Sequence, residues 1–232
     1  MSRSYVITGA SSGLGKAIYQ AMFGHFNSNG ITIFDWSLPG LDITDEAAVA
    51  KEAAVLKGLE LDGLINCAGV NEVAYLPDLS SNSWDRVMDT NAKGIFIVTK
   101  ALLENLRGGT VLNIVSNAAT VPMTASAAYN ASKGAAKILT AQFARELKVT
   151  HNITAFSISP GKLRGTEMSR LIEKRVMETR GWSEEEAKAY QLAALKAGEE
   201  IDPEVLAEFI AFLLSTKERH KYLAGLDIPY GG

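Results

Sequence analysis

The sequence predicts an α/β fold: a doubly wound parallel sheet with helices on both faces, in three layers. Three observations predict it. Short β-branched or apolar runs alternate with longer amphipathic stretches along the whole chain. Those runs are apolar throughout, which marks strands covered on both faces. The first run passes through a glycine-rich turn into a helix-prone stretch, as a strand–helix–strand unit requires.

Taken in order, residues 5–8 read as a strand and 14–26 as a helix. Residues 31–35 form the next strand, and 41–43 are expected as a third, very short one. Residues 45–56 read as a helix, 63–66 as a strand, and 83–106 as one long helix with a polar start. A strand over 110–115, a long helix over 127–149 and a strand over 153–157 follow. A helix over 203–214 and a strand over 226–229 complete the alternation. No repeat or low-complexity linker interrupts it, so residues 1–232 read as a single domain. Residues 162–200 stand apart. They are charged, helix-prone and interspersed with Met168, Leu171, Ile172, Met177, Trp182 and Leu192. They fit either a surface helix pair or a lid over a cleft.

Composition narrows the function. Of 232 residues, 47% are hydrophobic and 21% charged, with a net charge of -3. No basic stripe suggests nucleic acid, no run of about 18 apolar residues suggests a membrane span, and nothing calls for a metal. The apolar run at 5–7 is too short for the core of a signal peptide. The one cysteine, Cys67, has no partner for an intrachain disulfide. A cytoplasmic protein is the expectation.

The glycine-rich turn reads Gly9-Ala10-Ser11-Ser12-Gly13-Leu14-Gly15. A helix N-terminus offers unpaired amides and a partial positive charge to a pyrophosphate, and glycines let backbone and ligand approach closely. Asp35 falls twenty residues after Gly15, at the end of the second predicted strand. A carboxylate there bonds ribose hydroxyls and repels a 2′-phosphate. Trp36 follows, and Ser12 precedes the second glycine, so neither position supplies a cation for that phosphate. The expectation is NAD, with NADP less favoured.

Tyr129 and Lys133 stand four apart at the start of a helical stretch, on one helix face. A free phenol ionises near pH 10 and is a poor base; bringing it to neutral pH takes roughly 4 kcal/mol. A cation about 4 Å away supplies on the order of 4 kcal/mol at an effective dielectric of about 20, against which desolvation works. Ser116 ends the predicted strand 110–115, thirteen residues before Tyr129. A hydroxyl at the carboxyl end of a parallel strand faces the ligand crevice and can donate to a developing alkoxide. Asn91 sits inside the predicted helix 83–106, where asparagine is a mediocre helix former.

Together these motifs make the chain resemble the short-chain dehydrogenase/reductase family: TGASSGLG at 8–15, NCAG at 66–69, Asn91, NIVS ending at Ser116, YNASK at 129–133, SPG at 159–161 and the pair Gly231-Gly232. The resemblance implies a Rossmann-like fold and hydride transfer between NAD(H) and a secondary alcohol or ketone. It implies Tyr129 as general acid/base, with Lys133 lowering its pKa and holding the nicotinamide ribose. Ser116 would orient the substrate oxygen, and Asn91 would keep a water in a proton relay. Asn66, Ala68 and Gly69 would lie against the adenosine, with Asp42 and its neighbour Ile43 at the adenine. Pro160, Gly161 and Leu163 would approach the carboxamide, near Thr166.

The chain departs from the family pattern in three places. Asp42 follows Asp35 by only seven residues, which trims a crossover to a loop. Cys67 replaces an asparagine, and the segment after Gly161 is one residue longer. Asn71, Asn117, Met123 and residues 162–200 are expected to line the substrate cleft. The resemblance also implies a homo-oligomer, dimer or tetramer, through the helical stretches 83–106 and 127–149. Two alternatives stay open: a dinucleotide-sensing protein without turnover, and an NADP-dependent carbonyl reductase. The chain is too short for the added substrate domain of related epimerases and dehydratases.

Overall fold

The computed structural model describes residues 3–26, 30–193, 195, 198–216 and 220–231. The strands are β1 (Arg3–Thr8), β2 (Ile31–Trp36), β3 (Gly63–Asn66), β4 (Thr110–Ile114), β5 (Thr154–Pro160) and β6 (Asp227–Tyr230). They form one parallel sheet in the order β2-β1-β3-β4-β5-β6. The helices are α1 (Gly13–Phe26), α2 (Glu46–Val55), α3 (Ser81–Met88), α4 (Gly94–Ala101), α5 (Ala127–His151), α6 (Glu167–Arg180), α7 (Glu184–Ala193) and α8 (Pro203–Leu214).

Strand side chains alternate between faces, and this divides the interior into two cores. Val6, Leu64, Val111 and Ala155 pack with residues of α2, α4 and α5 on one face. Tyr5, Ile7, Ile65, Leu112 and Phe156 pack with α1 and α8 on the other. The chain runs outward from β1 to β2, then returns to place β3 on the other side of β1. That reversal opens a crevice at the carboxyl ends of β1 and β3, the place where such sheets bind ligands.

Two expected elements differ. Residues 41–43 form no strand. Asp42 Oδ1 accepts from the Thr44 amide (2.9 Å) and hydroxyl (2.8 Å), an aspartate turn that bends the chain back. The trimmed crossover is therefore a loop, closed by Asp45, whose carboxylate accepts from the Ala47 and Ala48 amides at the start of α2. The expected helix 83–106 is two helices, α3 and α4, joined by a π turn over Asp89–Lys93, and helical structure ends at Ala101. Within the turn Asn91 bonds across to the loop after β3. Beyond it, Asn105 donates to the Leu56 and Leu59 carbonyls (2.6 and 2.8 Å) from a non-helical stretch. Strand β4 stops at Ile114, so Ser116 lies two residues past its end rather than closing it.

Residues 162–200 hold α6 and α7, which pack on each other around Val176 and Ala187 and meet Val73. Residues 194, 196, 197 and the expected terminal Gly232 lie outside the described residues. Among the described residues no helix is long and apolar enough to cross a membrane, and no group of three His, Cys, Asp or Glu could hold a metal ion.

Candidate active site

A cleft of about 950 Å³ opens at the carboxyl ends of the strands. Its wall at β1 is the glycine-rich turn. Gly9 has φ +73°, and a Cβ there would sit 2.7 Å from the Ala68 Cα, so only a glycine lets β1 exit beside β3. A Cβ on Gly15 would overlap the Gly9 carbonyl oxygen, so the turn folds onto α1 only without one. Thr8 pins the neighbouring strand, its hydroxyl accepting from the Cys67 and Ala68 amides (both 3.1 Å). The first amides of α1 have no intrahelical partner and lie at Ser12, Gly13 and Leu14, all on the cleft wall.

The cleft gathers most of the expected binding residues. Gly9, Ser11, Ser12, Gly13, Leu14 and Gly15 line it, with Trp36, Asp42, Ile43, Ala68 and Gly69. Pro160, Gly161, Leu163 and Thr166 lie on its wall as well, as do Asn71, Asn117 and Met123. Asp35, Asn66 and Asn91 are not on that wall.

Asp35 is exposed, and its carboxylate accepts a short hydrogen bond from Ser37. Ser37 Oγ in turn accepts from the Ala10 amide at 2.6 Å. Ser37 thus ties the end of β2 to the glycine turn. No periodicity in the sequence singles it out. Asn66 is buried and donates to Asn113 Oδ1 (2.8 Å) and Thr99 Oγ1 (3.3 Å). It braces β3 on β4 behind the cleft.

The other wall carries Ser116, Tyr129 and Lys133. Helix α5 projects Tyr129 and Lys133 from adjacent turns, 9% and 5% exposed. Lys133 Nζ lies 5.7 Å from the Tyr129 ring centroid and donates to the Ile114 carbonyl at 3.0 Å. Ser116 Oγ accepts from the Ala118 amide (3.2 Å). Asn130, one residue past Tyr129, donates to the Ala118 and Val121 carbonyls (2.6 and 2.9 Å) and fastens the Ser116 loop to α5.

Asn91 is fully buried behind this wall. Its Oδ1 accepts from the Val70 amide and its Nδ2 donates to the Val70 carbonyl, each at 2.8 Å. Nδ2 also donates to Ser132 Oγ (3.0 Å), which donates to the Tyr129 carbonyl (2.8 Å). One side chain therefore sets the loop after β3 against the first turn of α5. The π turn explains why a poor helix former stands there: such turns interrupt a helix to aim a functional group. Ser132 and Asn130 lie inside YNASK, but spacing alone does not reveal their bonds.

The electrostatics depend on burial. Burial raises the Tyr129 phenol above the usual range; the Ser116 hydroxyl draws it back, and negative charge on Cys67 would add to the rise. Burial lowers Lys133 to about 8, opposed by Cys67. Burial pushes the Cys67 thiol up to about 12 against the Lys133 charge, so it is an unionised neighbour at neutral pH. In the chain alone, burial outweighs any help Lys133 gives the phenol.

The chain has relatives among known proteins. Residues 37–176 match the family model described as short chain dehydrogenase. The chain is 35% identical, over 77% of its own length and 76% of the relative's, to the inactive 2-(S)-hydroxypropyl-CoM dehydrogenase 2 of Xanthobacter autotrophicus. It is 28% identical to a 3-oxoacyl-(acyl-carrier-protein) reductase of Staphylococcus aureus, over 100% of this chain and 98% of that one. Among solved structures, the actinorhodin polyketide ketoreductase with NADPH superposes with a TM-score of 0.85 at 23% identity, covering 100% of this chain and 96% of that one. A parallel sheet, a switch-point crevice and a match over most of the chain lead to one conclusion: the protein belongs to the short chain dehydrogenase family of oxidoreductases.

Proposed function

We propose that the protein transfers a hydride between a nicotinamide dinucleotide and a secondary alcohol or ketone, with Tyr129 as general acid/base. The observation that carries this reading is that one cleft is lined both by the glycine turn and by Ser116, Tyr129 and Lys133. The residues present fit the dinucleotide: a cradle that a Cβ at Gly9 or Gly15 would fill, beside the open N-terminus of α1.

Ser11, Ser12, Gly13 and Leu14 would hold the pyrophosphate, Trp36, Asp42 and Ile43 the adenosine, and Pro160, Gly161 and Leu163 the carboxamide. The dinucleotide supplies hydride chemistry at its nicotinamide C4. Ser116 donates to the substrate oxygen and fixes its position. Tyr129 holds a proton on its phenolic oxygen at neutral pH and delivers it to the substrate oxygen in reduction. Lys133 would hold the nicotinamide ribose. Asn91 keeps the Val70 loop and α5 in register, and helices α6 and α7 act as a lid.

NAD is the favoured dinucleotide, because a carboxylate at the end of β2 opposes a 2′-phosphate. Asp35 is engaged by Ser37 and stands off the cleft wall, and two structures similar in fold are described with NADPH or bound NADP, so the carbonyl reductase using NADP is the rival reading. A cytoplasmic homo-oligomer remains part of the proposal, supported by exposed Trp84, Phe96, Ile138 and Val149 on α3, α4 and α5.

The test is a panel of secondary alcohols and ketones with NAD(H) and NADP(H), followed at the nicotinamide absorbance. Turnover with NADH above NADPH is expected. The second reading, binding without turnover, is favoured by the word "inactive" in the name of one relative. Dinucleotide binding with no turnover of any substrate would replace the first reading by that one.

A further inference from the structure

The cleft wall contributed by α6 has a pattern of its own. Ile172, Val176 and Arg180 recur every four residues, and all three line the cleft. They form one stripe along a helix face, apolar for two turns and cationic at its end. The Arg180 guanidinium packs beside two rings that meet edge to face, 4.5 Å from the centroid of Trp182 and 4.5 Å from that of Tyr190. Beside it, the Tyr190 phenol is drawn below its ordinary value, first by Arg180. Tyr190 also meets Thr124, in the loop between Ser116 and Tyr129. The guanidinium therefore stands at the substrate end of the cleft and away from the glycine turn.

The charges on the cleft wall single Arg180 out. Arg86 is matched by Glu72 at 2.9 Å, and Lys162 by Glu173 and Glu200 at 2.6 and 2.5 Å. Lys133 belongs to the buried pair with Tyr129. Among the described residues, Arg180 is the lining cation left with no carboxylate within ion-pair distance outside that pair. The guanidinium gives one bond to the Tyr190 phenol and keeps further N–H donors for an oxyanion. Such a setting costs little entropy on binding, because the rotamer is already fixed.

We propose that Arg180 is a specificity-determining residue that receives an oxyanion, a carboxylate or a phosphate, at the far end of the substrate. The preferred substrate is then an anionic oxo or hydroxy compound with an apolar middle that lies along Ile172 and Val176. This inference rests on the oxidoreductase reading for its substrate, but the anion site can be measured without turnover.

The experiment compares three matched ketones in wild type and Arg180→Met: one ending in a carboxylate, its methyl ester, and one ending in a phosphate. Wild type is expected to prefer an anionic ketone to the ester in kcat/KM. Arg180→Met is expected to lose on the order of 10–100-fold of that preference, the worth of a charged hydrogen bond. Arg180→Lys should recover part of it, since charge remains without the fork. The arm showing the larger loss identifies the oxyanion. Equal losses for acid and ester would show a merely structural arginine and overturn the proposal.

Should no ketone be reduced with either dinucleotide, the oxidoreductase reading fails by itself. The anion site is then read by titrating tryptophan fluorescence with the oxo-carboxylate, using Trp182→Phe to assign the signal. Saturable quenching in wild type that is lost in Arg180→Met upholds the site. No quenching in wild type overturns it.

Discussion

Lys133 Nζ stands over the Tyr129 ring, 5.7 Å from its centroid, while its hydrogen bond goes to the Ile114 carbonyl. The ammonium is thus anchored to the end of β4 and packs over the ring face. Both groups are displaced by burial toward their neutral forms.

The first prediction concerns direction and pH. The Tyr129 phenol lies above its ordinary value in the chain alone, so it is protonated across the neutral range. Carbonyl reduction, which uses that proton, should hold level at neutral pH and fall in alkali. Alcohol oxidation, which needs the base form, should climb with pH. Tyr129→Phe should lower both rates by orders of magnitude while dinucleotide affinity, measured by calorimetry, stays within a few-fold. An oxidation rate that falls as pH rises from neutral would contradict the assigned role.

Lys133 should cost the fold stability. Its folded value, about 8, lies below the free value of 10.5. Between those values the unfolded chain binds a proton that the folded chain does not, so stability rises with pH there and the full cost applies below about 8. Lys133→Met should therefore stabilise the protein at pH 7 by on the order of 1–3 kcal/mol, while turnover is lost. Urea denaturation at neutral and alkaline pH measures it. The gap between the two proteins should shrink as pH rises, and a less stable variant at pH 7 would refute the argument.

Asn91→Ala should unpair both Val70 backbone groups. Leaving buried groups unsatisfied costs about 1–3 kcal/mol each, so a loss on the order of 2–6 kcal/mol is expected in denaturant. Protection of the Val70 amide against hydrogen exchange should fall with it. A loss confined to activity, with stability intact, would show that the side chain is not the tie between the loop and α5.

Gly15→Ala should abolish dinucleotide binding and weaken the fold, because the new Cβ meets the Gly9 carbonyl oxygen, which is backbone and cannot yield. Gly24→Ala is the contrast. Nothing lies within 4 Å of its added Cβ, and it sits in the same helix. It should be neutral or stabilising by about 0.5–1 kcal/mol, with binding unchanged.

Much of this architecture can be read from residue order, because flat apolar strands and long amphipathic helices are local patterns. The six sheet strands and the run into the glycine turn are visible that way. The π turn at Asn91 is not, because it depends on partners in the Val70 loop and on Ser132, both distant in sequence. The turn at Asp42 competes with an apolar neighbourhood that mimics a strand, and the Asp42 carboxylate decides it by accepting from the Thr44 amide and hydroxyl. Asp35 reads as a cleft residue by position, yet Ser37 engages it at the exposed edge of the sheet. The setting of Arg180 is hidden for a related reason: Trp182 lies in the turn after α6, but Tyr190 is in α7, and only the packing of α7 back on α6 brings it to Arg180.

Helices α6 and α7 are held by a small apolar cluster around Val73, Val176 and Ala187, separate from the two cores that flank the sheet. A segment fastened by its own cluster can detach without breaching either core, as a cooperative unit with a low opening free energy. Backbone amides in residues 167–193 should then trade deuterium well before those of β3 and β4, and a bound anionic ketone should slow that trade in the helices alone.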